Sequence, residues 1–359
     1  MSKRLRSGYT TGACAAVVAK AATLFLTTGR QEPQVDIPFP DGTRHGFTIH
    51  RYQRVGEGVL AATIKDAGDD PDVTNGAEIY AVVAFAEGSA LPEHTIDLKN
   101  IILGGGDGVG RVTKAGLAAG VGEPAINPVP RQMIVTAVQE VEAGRRLRVD
   151  IAVTDGEALA AKTLNHRLGI VGGLSILGTT GIVRPISADA WTATITASLN
   201  VARKAGLNDV VLSTGRTSER GAQAQLNLPE EAYAMMGDYL EFSLLESKKQ
   251  GFQRIHLAGM WAKITKAALR VPQTHVRNGA LEIVDAARLL AGLGASGVLL
   301  EKIEQANTAR EMLCHLQDAG CDGIIRAVCM KAQEYAEDVS GLKVSVYLID
   351  SSANVVEKV

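Results

Sequence analysis

The sequence predicts an α+β N-terminal domain, residues 1–190, that carries glycine-rich ligand loops. An α/β, Rossmann-like C-terminal domain with a mostly parallel sheet follows, residues 191–359. Three observations predict this. A chain of 359 residues with 46% hydrophobic composition can bury two cores. Up to Arg184, short strand-like runs are mixed with helical stretches and long glycine-rich loops. From Asp209 onward, apolar strands alternate with helical segments, which is the grammar of βαβ units on a parallel sheet.

Composition narrows the function. An aromatic share of 4% means that the cores are built from Ala, Val, Leu and Ile. A net charge of −2 leaves no field to hold nucleic acid by its phosphates. Cys14, Cys314, Cys321 and Cys329 have neither Cys-x-x-Cys pairing nor metal-ligand spacing with histidine. They read as free thiols of a reducing cytoplasm, with no metal site in the protein. The basic start Lys3-Arg4-Leu5-Arg6 and the Ala-rich run after it imitate a signal peptide, but Lys20 interrupts the run and no small-x-small site follows Leu26. No apolar span of about 18 residues is read, so a soluble cytoplasmic protein without a membrane partner is expected.

In the first half, Thr10 or Thr11 can cap a helix from about Gly12 to Leu26, with Val17, Val18, Ala21, Leu24 and Phe25 on its apolar side and Gly29 beyond its end. Cys14 falls in its first turn, where the dipole favours a thiolate; a small residue packed among alanines is the competing reading. Strands are read at Val35–Phe39, Gly46–His50 and Val59–Lys65. The acidic loop Lys65–Gly76 holds Asp70 and Asp72 but lacks the Gly and terminal Glu of a calcium-binding hand. The strand Glu78–Ala86 follows it.

The stretch Leu103–Arg131 is the most unusual. Gly104, Gly105, Gly106, Gly108 and Gly110 crowd its start, between an apolar strand ending at Leu103 and a helix read over Arg131–Ala143. The G-x-G-x-x-G fingerprint fails at every start, and Arg111-Val112 stands where a Walker loop needs Lys-Ser/Thr. A ligand-lining loop and a tight double turn both remain open. Leu147–Val153 then reads as a strand, and Thr154 or Asp155 caps a helix through Leu168. A second glycine-rich passage, Gly169–Arg184, contains Thr179-Thr180-Gly181, an echo of Thr10-Thr11-Gly12 that returns as Ser213-Thr214-Gly215.

In the second half, Ser187 caps a helix to Ala205 with Trp191, Ile195 and Leu199 on one face. Strands are read at Asp209–Ser213, Arg254–Ala258 and Lys343–Ile349. Helices are read at Pro229–Lys249, Trp261–Leu269, Ala280–Leu293, Ala306–Ala319 and Asp322–Asp338. Ligands of such sheets sit beyond the carboxyl ends of the strands, which nominates Ser213–Arg216, Gly259–Lys263 and Asp350–Ser352.

Several motifs recur together in one order: Gly8-Tyr9-Thr10-Thr11-Gly12-Ala13-Cys14-Ala15-Ala16, Asp69-Asp70-Pro71-Asp72-Val73-Thr74, the Gly104–Gly110 loop with Val112-Thr113-Lys114, Gly122 through Arg131, and Thr180-Gly181-Ile182-Val183-Arg184-Pro185. This ordered set resembles the CbiD family of cobalt-precorrin-5B C1-methyltransferases in anaerobic cobalamin synthesis, over nearly the whole chain. The likeness is poorer where Gly259-Met260-Trp261-Ala262-Lys263 replaces the Gly-His-x-Gly-Lys of the family, and at Asn75, where many members carry His.

The resemblance implies methyl transfer from S-adenosylmethionine to a ring carbon of a cobalt-containing tetrapyrrole, with cobalt present only as part of the substrate. Such a displacement needs alignment of donor and acceptor and no covalent protein intermediate. The macrocycle's carboxylates would meet Lys114, Arg131, Arg184 and Arg216, with Thr10, Thr11, Cys14 and Asn127 as further substrate-binding candidates. Gly104, Gly105, Gly106, Gly108, Gly110, Thr180 and Gly181 are candidates for the methyl donor, although the glycine loop could equally receive the macrocycle. Asp72, Glu123 and His275 are candidates to adjust ring protonation, and His275 also reads as an ordinary hydrogen-bonded histidine. A homo-oligomer and transient contacts with other cobalamin-pathway enzymes are compatible with the resemblance. Two other readings compete: a non-catalytic corrinoid carrier of the same pathway, and a phosphoryl-transfer enzyme, which the missing Walker residues disfavour.

Overall fold

The computed structural model describes residues 5–86, 91–185, 187–273 and 281–359. The chain forms two compact units, Met1–Ser187 and Ala188–Val359.

Unit 1 runs β1 (Gly8–Tyr9), α1 (Thr11–Thr28), β2 (Gln34–Pro38), β3 (Arg44–Thr48), β4 (Arg51–Val55), β5 (Gly58–Ile64), β6 (Glu78–Phe85), β7 (Thr95–Leu98), β8 (Ile101–Gly105), β9 (Arg111–Val112), α2 (Pro128–Gln139), β10 (Leu147–Val153), α3 (Gly156–Ala160), β11 (Ile170–Val171) and β12 (Ile182–Val183). Its main sheet has the order β4-β5-β6-β10-β8-β7, antiparallel except where β10 runs parallel to β8. Helix α1 packs on β5 and β6 and against α2. Ala13, Ala15, Ala16, Ala19, Ala21 and Ala22 are all fully buried, and their small side chains let sheet and second helix close on α1 from several sides.

The Thr10 hydroxyl accepts from the Ala13 amide at 3.2 Å, and Gly29 ends α1 in the left-handed region at φ 73°. One expectation is corrected here. With 18 residues and a mean hydropathy of 1.4, α1 is long and apolar enough to cross a membrane, yet 78% of it is buried inside the protein, as a core helix is. Lys20, read as an interruption, is itself buried: its ammonium donates to the Asp36 carbonyl at 2.8 Å and to Glu140 Oε2 at 2.6 Å.

Two further elements of unit 1 differ from expectation. Helix α2 begins at Pro128 rather than Arg131, because proline lacks only an N–H that the first turn does not use; Asn127 is therefore its N-cap. The helix expected through Leu168 ends as the five-residue α3. Asp155 is left-handed at φ 55° rather than capping in extended conformation, and beyond α3 the Thr163 hydroxyl donates to Ala160 O (2.7 Å) while the Asn165 amide donates to Gly173 O (3.2 Å). Such side-chain bonds compete with the helical ladder.

Unit 2 runs α4 (Ala188–Lys204), β13 (Asp209–Ser213), α5 (Arg216–Gln225), β14 (Tyr233–Met235), α6 (Leu240–Lys249), β15 (Arg254–Gly259), α7 (Trp261–Ala268), α8 (Ile283–Gly292), α9 (Gly297–Glu304), α10 (Ala309–Asp318), α11 (Asp322–Ser340), β16 (Lys343–Ile349) and β17 (Val355–Lys358). The sheet order is β14-β13-β15-β16-β17, parallel except for β17. Helix α5 covers one face over Val211, Ala258 and Tyr347. On the other face Leu212, Leu257 and Val346 meet the larger helical core. The whole is a mixed α/β protein whose second unit holds a largely parallel sheet.

The single helix expected over Pro229–Lys249 does not form. A 3-10 turn at Glu230–Ala232 leads into β14, which pairs Tyr233 with Val211, and only then does α6 start. The dipole-matched ends had suggested one helix, but the apolar Tyr233-Ala234-Met235 has a strand partner and takes it. Helices α5 and α9 and strand β17 were not expected. Trp191, expected on the apolar face of α4, is 42% exposed, while Ile195 and Leu199 are fully buried.

Candidate functional site

The two Thr-Thr-Gly motifs, far apart in sequence, meet in space. Strands β1 and β12 pair Gly8 with Val183 and Tyr9 with Ile182. Beyond that pairing the Thr10 amide donates to Gly181 O (3.0 Å), the Gly12 amide to Leu177 O (3.0 Å), and the Leu177 amide to Thr11 Oγ1 (2.9 Å). The same loop is held at its other end by α2, where the Asn127 amide donates to Ile176 O at 2.9 Å. A Cβ on Gly12 would stand 2.7 Å from Pro130 Cγ, so glycine there is what lets the amino ends of α1 and α2 lie together under one loop. Thr10 and Thr11 are buried, and their polar groups hold this loop. The exposed Thr180 hydroxyl is engaged with the Ile182 backbone.

The Gly104–Gly110 loop has a packing reason at each glycine. Added Cβ atoms would meet Asp150 at Gly104, Pro124 at Gly105, Ala152 at Gly106, the Val153 carbonyl at Gly108, and Ile170 at Gly110. Gly108, Gly156 and Gly173 form a three-way backbone crossing that no side chain could enter. The Gly106 and Gly110 amides donate to Ile151 O (2.7 Å) and Leu174 O (2.9 Å). Each of these glycines thus has a packing reason of the kind a tight double turn requires.

The charged candidates separate into engaged and free. The Arg131 guanidinium donates to Ile126 O and Glu123 Oε2, both at 2.6 Å, and Glu123 also accepts the Gly120 amide at 2.9 Å. Burial works to raise the Glu123 carboxyl, but the Gly120 amide and Arg131 outweigh it and hold it below its ordinary value. Asp72 is held likewise: burial opposes ionisation, yet the Lys65 ammonium at 2.6 Å and the Thr74 hydroxyl and amide, each at 2.7 Å, lower its pKa. Lys114 reaches Arg167 O at 3.5 Å. Arg184, just past the meeting of the Thr-Thr-Gly loops, is exposed and has no ion-pair partner among the described residues. Arg216 is exposed at the start of α5, in unit 2, and His275 lies outside the described residues.

Of the two readings of Cys14, the structure has the small residue packed among alanines. It is 1% exposed, and burial pushes its thiol up to about 12, so it is neutral despite its place in the first turn of α1. It nevertheless lies on the floor of a cleft of about 290 Å³ in unit 1, lined also by Tyr9, Phe47, Thr48, His50 and Asp66. The rings of Tyr9 and Phe47 lie 4.4 Å apart, and Phe39 and His45 extend the cluster. Sequence reasoning missed this cleft. The available signal was the gathering of Tyr9, Phe39 and Phe47 within forty residues of a chain that has only 6 Phe and 7 Tyr.

In unit 2 the turns after β13 and β15 lie side by side, with the Thr214 amide donating to Ala258 O at 3.1 Å. Lys263 is ion-paired with Asp238, and Asp350 accepts the Ser352 and Asn354 amides in a turn. Among the described residues, no three His, Cys, Asp or Glu side chains gather as a metal-binding group.

Comparison with known proteins accounts for both units. Residues 1–185 match the family described as CbiD, and residues 273–358 match the CbiD C-terminal domain. The chain is 61% identical to the cobalt-precorrin-5B C(1)-methyltransferase of Desulfotalea psychrophila, covering 98% of this chain and 97% of that one. It is 46% identical to the protein of the same name from Thermus thermophilus, over 97% and 92%. A 1.9 Å crystal structure of the cobalamin biosynthesis protein CbiD from Archaeoglobus fulgidus aligns at 26% identity over 73% of this chain and 79% of that one, with a TM-score of 0.39. With a family match over more than half its length and a relative 61% identical from end to end, the chain belongs to the CbiD family.

Proposed function

We propose that this chain methylates ring carbon 1 of cobalt-precorrin-5B, with S-adenosylmethionine as methyl donor, to give cobalt-precorrin-6A in anaerobic cobalamin synthesis. The observation that carries this reading is the end-to-end identity of 61% with a relative bearing that name, which spans both units. In the reaction the ring carbon supplies the electron pair of the new C–C bond, the C–S bond breaks, and its electrons leave with a neutral thioether. The protein's task is to align the two partners and exclude water.

In unit 1, the loop clamped by Thr10, Thr11 and Asn127 holds Arg184 at the surface as a partner for a macrocycle carboxylate, with Lys114 as a second candidate. Arg131 and Glu123 brace the segment 120–126 that leads into α2, and Asp72 braces Lys65; these engagements support a structural role for both carboxylates. Arg184→Ala is expected to raise the KM for the macrocycle about tenfold and to leave the KM for the donor unchanged. We read unit 2 as Rossmann-like, on the support of helices covering both faces of its parallel strands, and its turns at Thr214 and Met260 as further ligand-facing segments. The four unpaired thiols support a reducing, cytoplasmic setting.

The test is a single-turnover incubation with cobalt-precorrin-5B and methyl-deuterated S-adenosylmethionine, read by mass spectrometry. One labelled methyl on the macrocycle and release of S-adenosylhomocysteine are expected. A macrocycle that binds and stays unlabelled would make the protein a carrier, and one that neither binds nor reacts would remove the substrate assignment.

A further inference from the structure

We propose that the cleft beneath Tyr9 is the site of the methyl donor, a sulfonium cation of adenosine size, and not of the macrocycle. This rests on the methyltransferase reading above. The cleft lies between β3 and the end of β5: Cys14, Phe47 and Thr63 are buried, the half-buried Tyr9 forms a wall, and the exposed Gly46, Thr48, His50, Ile64 and Asp66 form the rim.

Size is the first argument. At about 290 Å³ the cleft stands just below the roughly 300–1,000 Å³ that holds drug-sized ligands, too small for a tetrapyrrole with its acidic arms. Charge is the second. Asp66 is a rim carboxylate, and His50 sits against Glu78 at 2.9 Å. The nearby cations are engaged: Arg6 with Asp66 at 2.5 Å, Arg51 with Glu78 at 2.9 Å, and the fully buried Lys65 with Asp72 at 2.6 Å. These charges balance pair by pair, so none of these cations is left over for the carboxylates of a polyanionic macrocycle.

Surface chemistry is the third argument. A sulfonium carries its charge on carbon-bound sulfur and has no hydrogen to donate, so it is held by aromatic faces and nearby carboxylates. Tyr9 and Phe47, tilted by 45° and 4.4 Å apart, offer such faces beside Asp66. The thiol of Cys14 fits the same role, since burial keeps it protonated; a thiolate on this floor would be alkylated by the donor. Finally, a Cβ on Gly46 would have nothing within 4 Å, so space stands open at the rim.

The experiment uses the full chain and isothermal titration with S-adenosylmethionine and, separately, S-adenosylhomocysteine, which lacks the sulfonium charge. Gly46→Trp fills the mouth from an exposed strand position. Ile64→Lys and Ile64→Glu change the sign of the rim at a side chain that is 50% exposed, so the fold is spared. Gly46→Trp is expected to weaken both ligands at least tenfold at unchanged Tm. Ile64→Lys should weaken S-adenosylmethionine more than S-adenosylhomocysteine, and Ile64→Glu should do the reverse. Full donor affinity in Gly46→Trp overturns the assignment and leaves the methyltransferase reading standing. A wild-type chain that neither binds the donor nor labels the macrocycle overturns both.

Discussion

Replacing Asp72 with Asn tests whether this residue is a brace or a base. Lys65, at the end of β5, has a side chain that is 1% exposed, and its ammonium lies 2.6 Å from Asp72, whose side chain is 26% exposed. Removing one member of a buried pair typically costs about 3–5 kcal/mol, because the remaining charge is left unsolvated. Water reaching the carboxylate side screens part of the pair, so Asp72→Asn is expected at the low end, about 3 kcal/mol. Lys65→Met should cost less, about 1–2 kcal/mol, since Asp72 keeps both Thr74 hydrogen bonds and some solvent. In the double variant no charge is stranded, and the loss should fall short of the sum by about 1.5 kcal/mol or more. Urea denaturation of all four proteins, followed by far-UV circular dichroism, measures this cycle. Additivity within about 0.5 kcal/mol would refute the pair. Under conditions where Asp72→Asn remains folded, its single-turnover rate should fall less than about tenfold, whereas loss of a general base removes roughly 10²–10⁴-fold.

Three other outcomes follow from the same geometry. Gly108→Ala combines a left-handed backbone at φ 73° with a Cβ driven into the Val153 carbonyl; it should cost about 2–5 kcal/mol, against about 0.5 or less for Gly46→Ala, in parallel thermal melts. Glu140 is lowered to about 2, first by its hydrogen bond to Arg44 and then by Lys20, despite the opposing effect of burial. A carboxyl depressed in the fold stabilises it above the unfolded value of about 4.3 and loses that contribution as pH falls towards 2, so Glu140→Gln should flatten the stability profile in that window. In native protein a thiol reagent should modify the exposed Cys314 first, while Cys14 and Cys329, both pushed up to about 12 by burial, should react only on unfolding; peptide mapping that finds Cys14 labelled early would contradict its placement.

The sequence by itself determined the elements whose signal is local. The cap at Thr10, the stop at Gly29 and the apolar spacing between them specify α1 within a few residues. The alternating Leu147–Val153 and the apolar Asp209–Ser213 and Lys343–Ile349 are strands with the bounds their patterns imply. The ordered motifs of the first half pointed to the CbiD family, which the family match over residues 1–185 independently shows. Tertiary structure decided the rest, because the deciding partner lies far along the chain. Tyr233-Ala234-Met235 is a strand only because β13 offers a free edge, and no local propensity registers that edge. The glycines at 104, 108 and 110 left a ligand loop and a tight turn both open in sequence; their packing against Asp150, Val153, Ile170 and Gly173 exists only in the folded sheet. Arg131 and Arg184 carry the same charge in sequence, but Glu123 engages one and leaves the other at the surface. The cleft under Tyr9 belongs to the same class, since its walls come from α1, β3 and β5 and become a site only when hydrophobic burial brings those elements together.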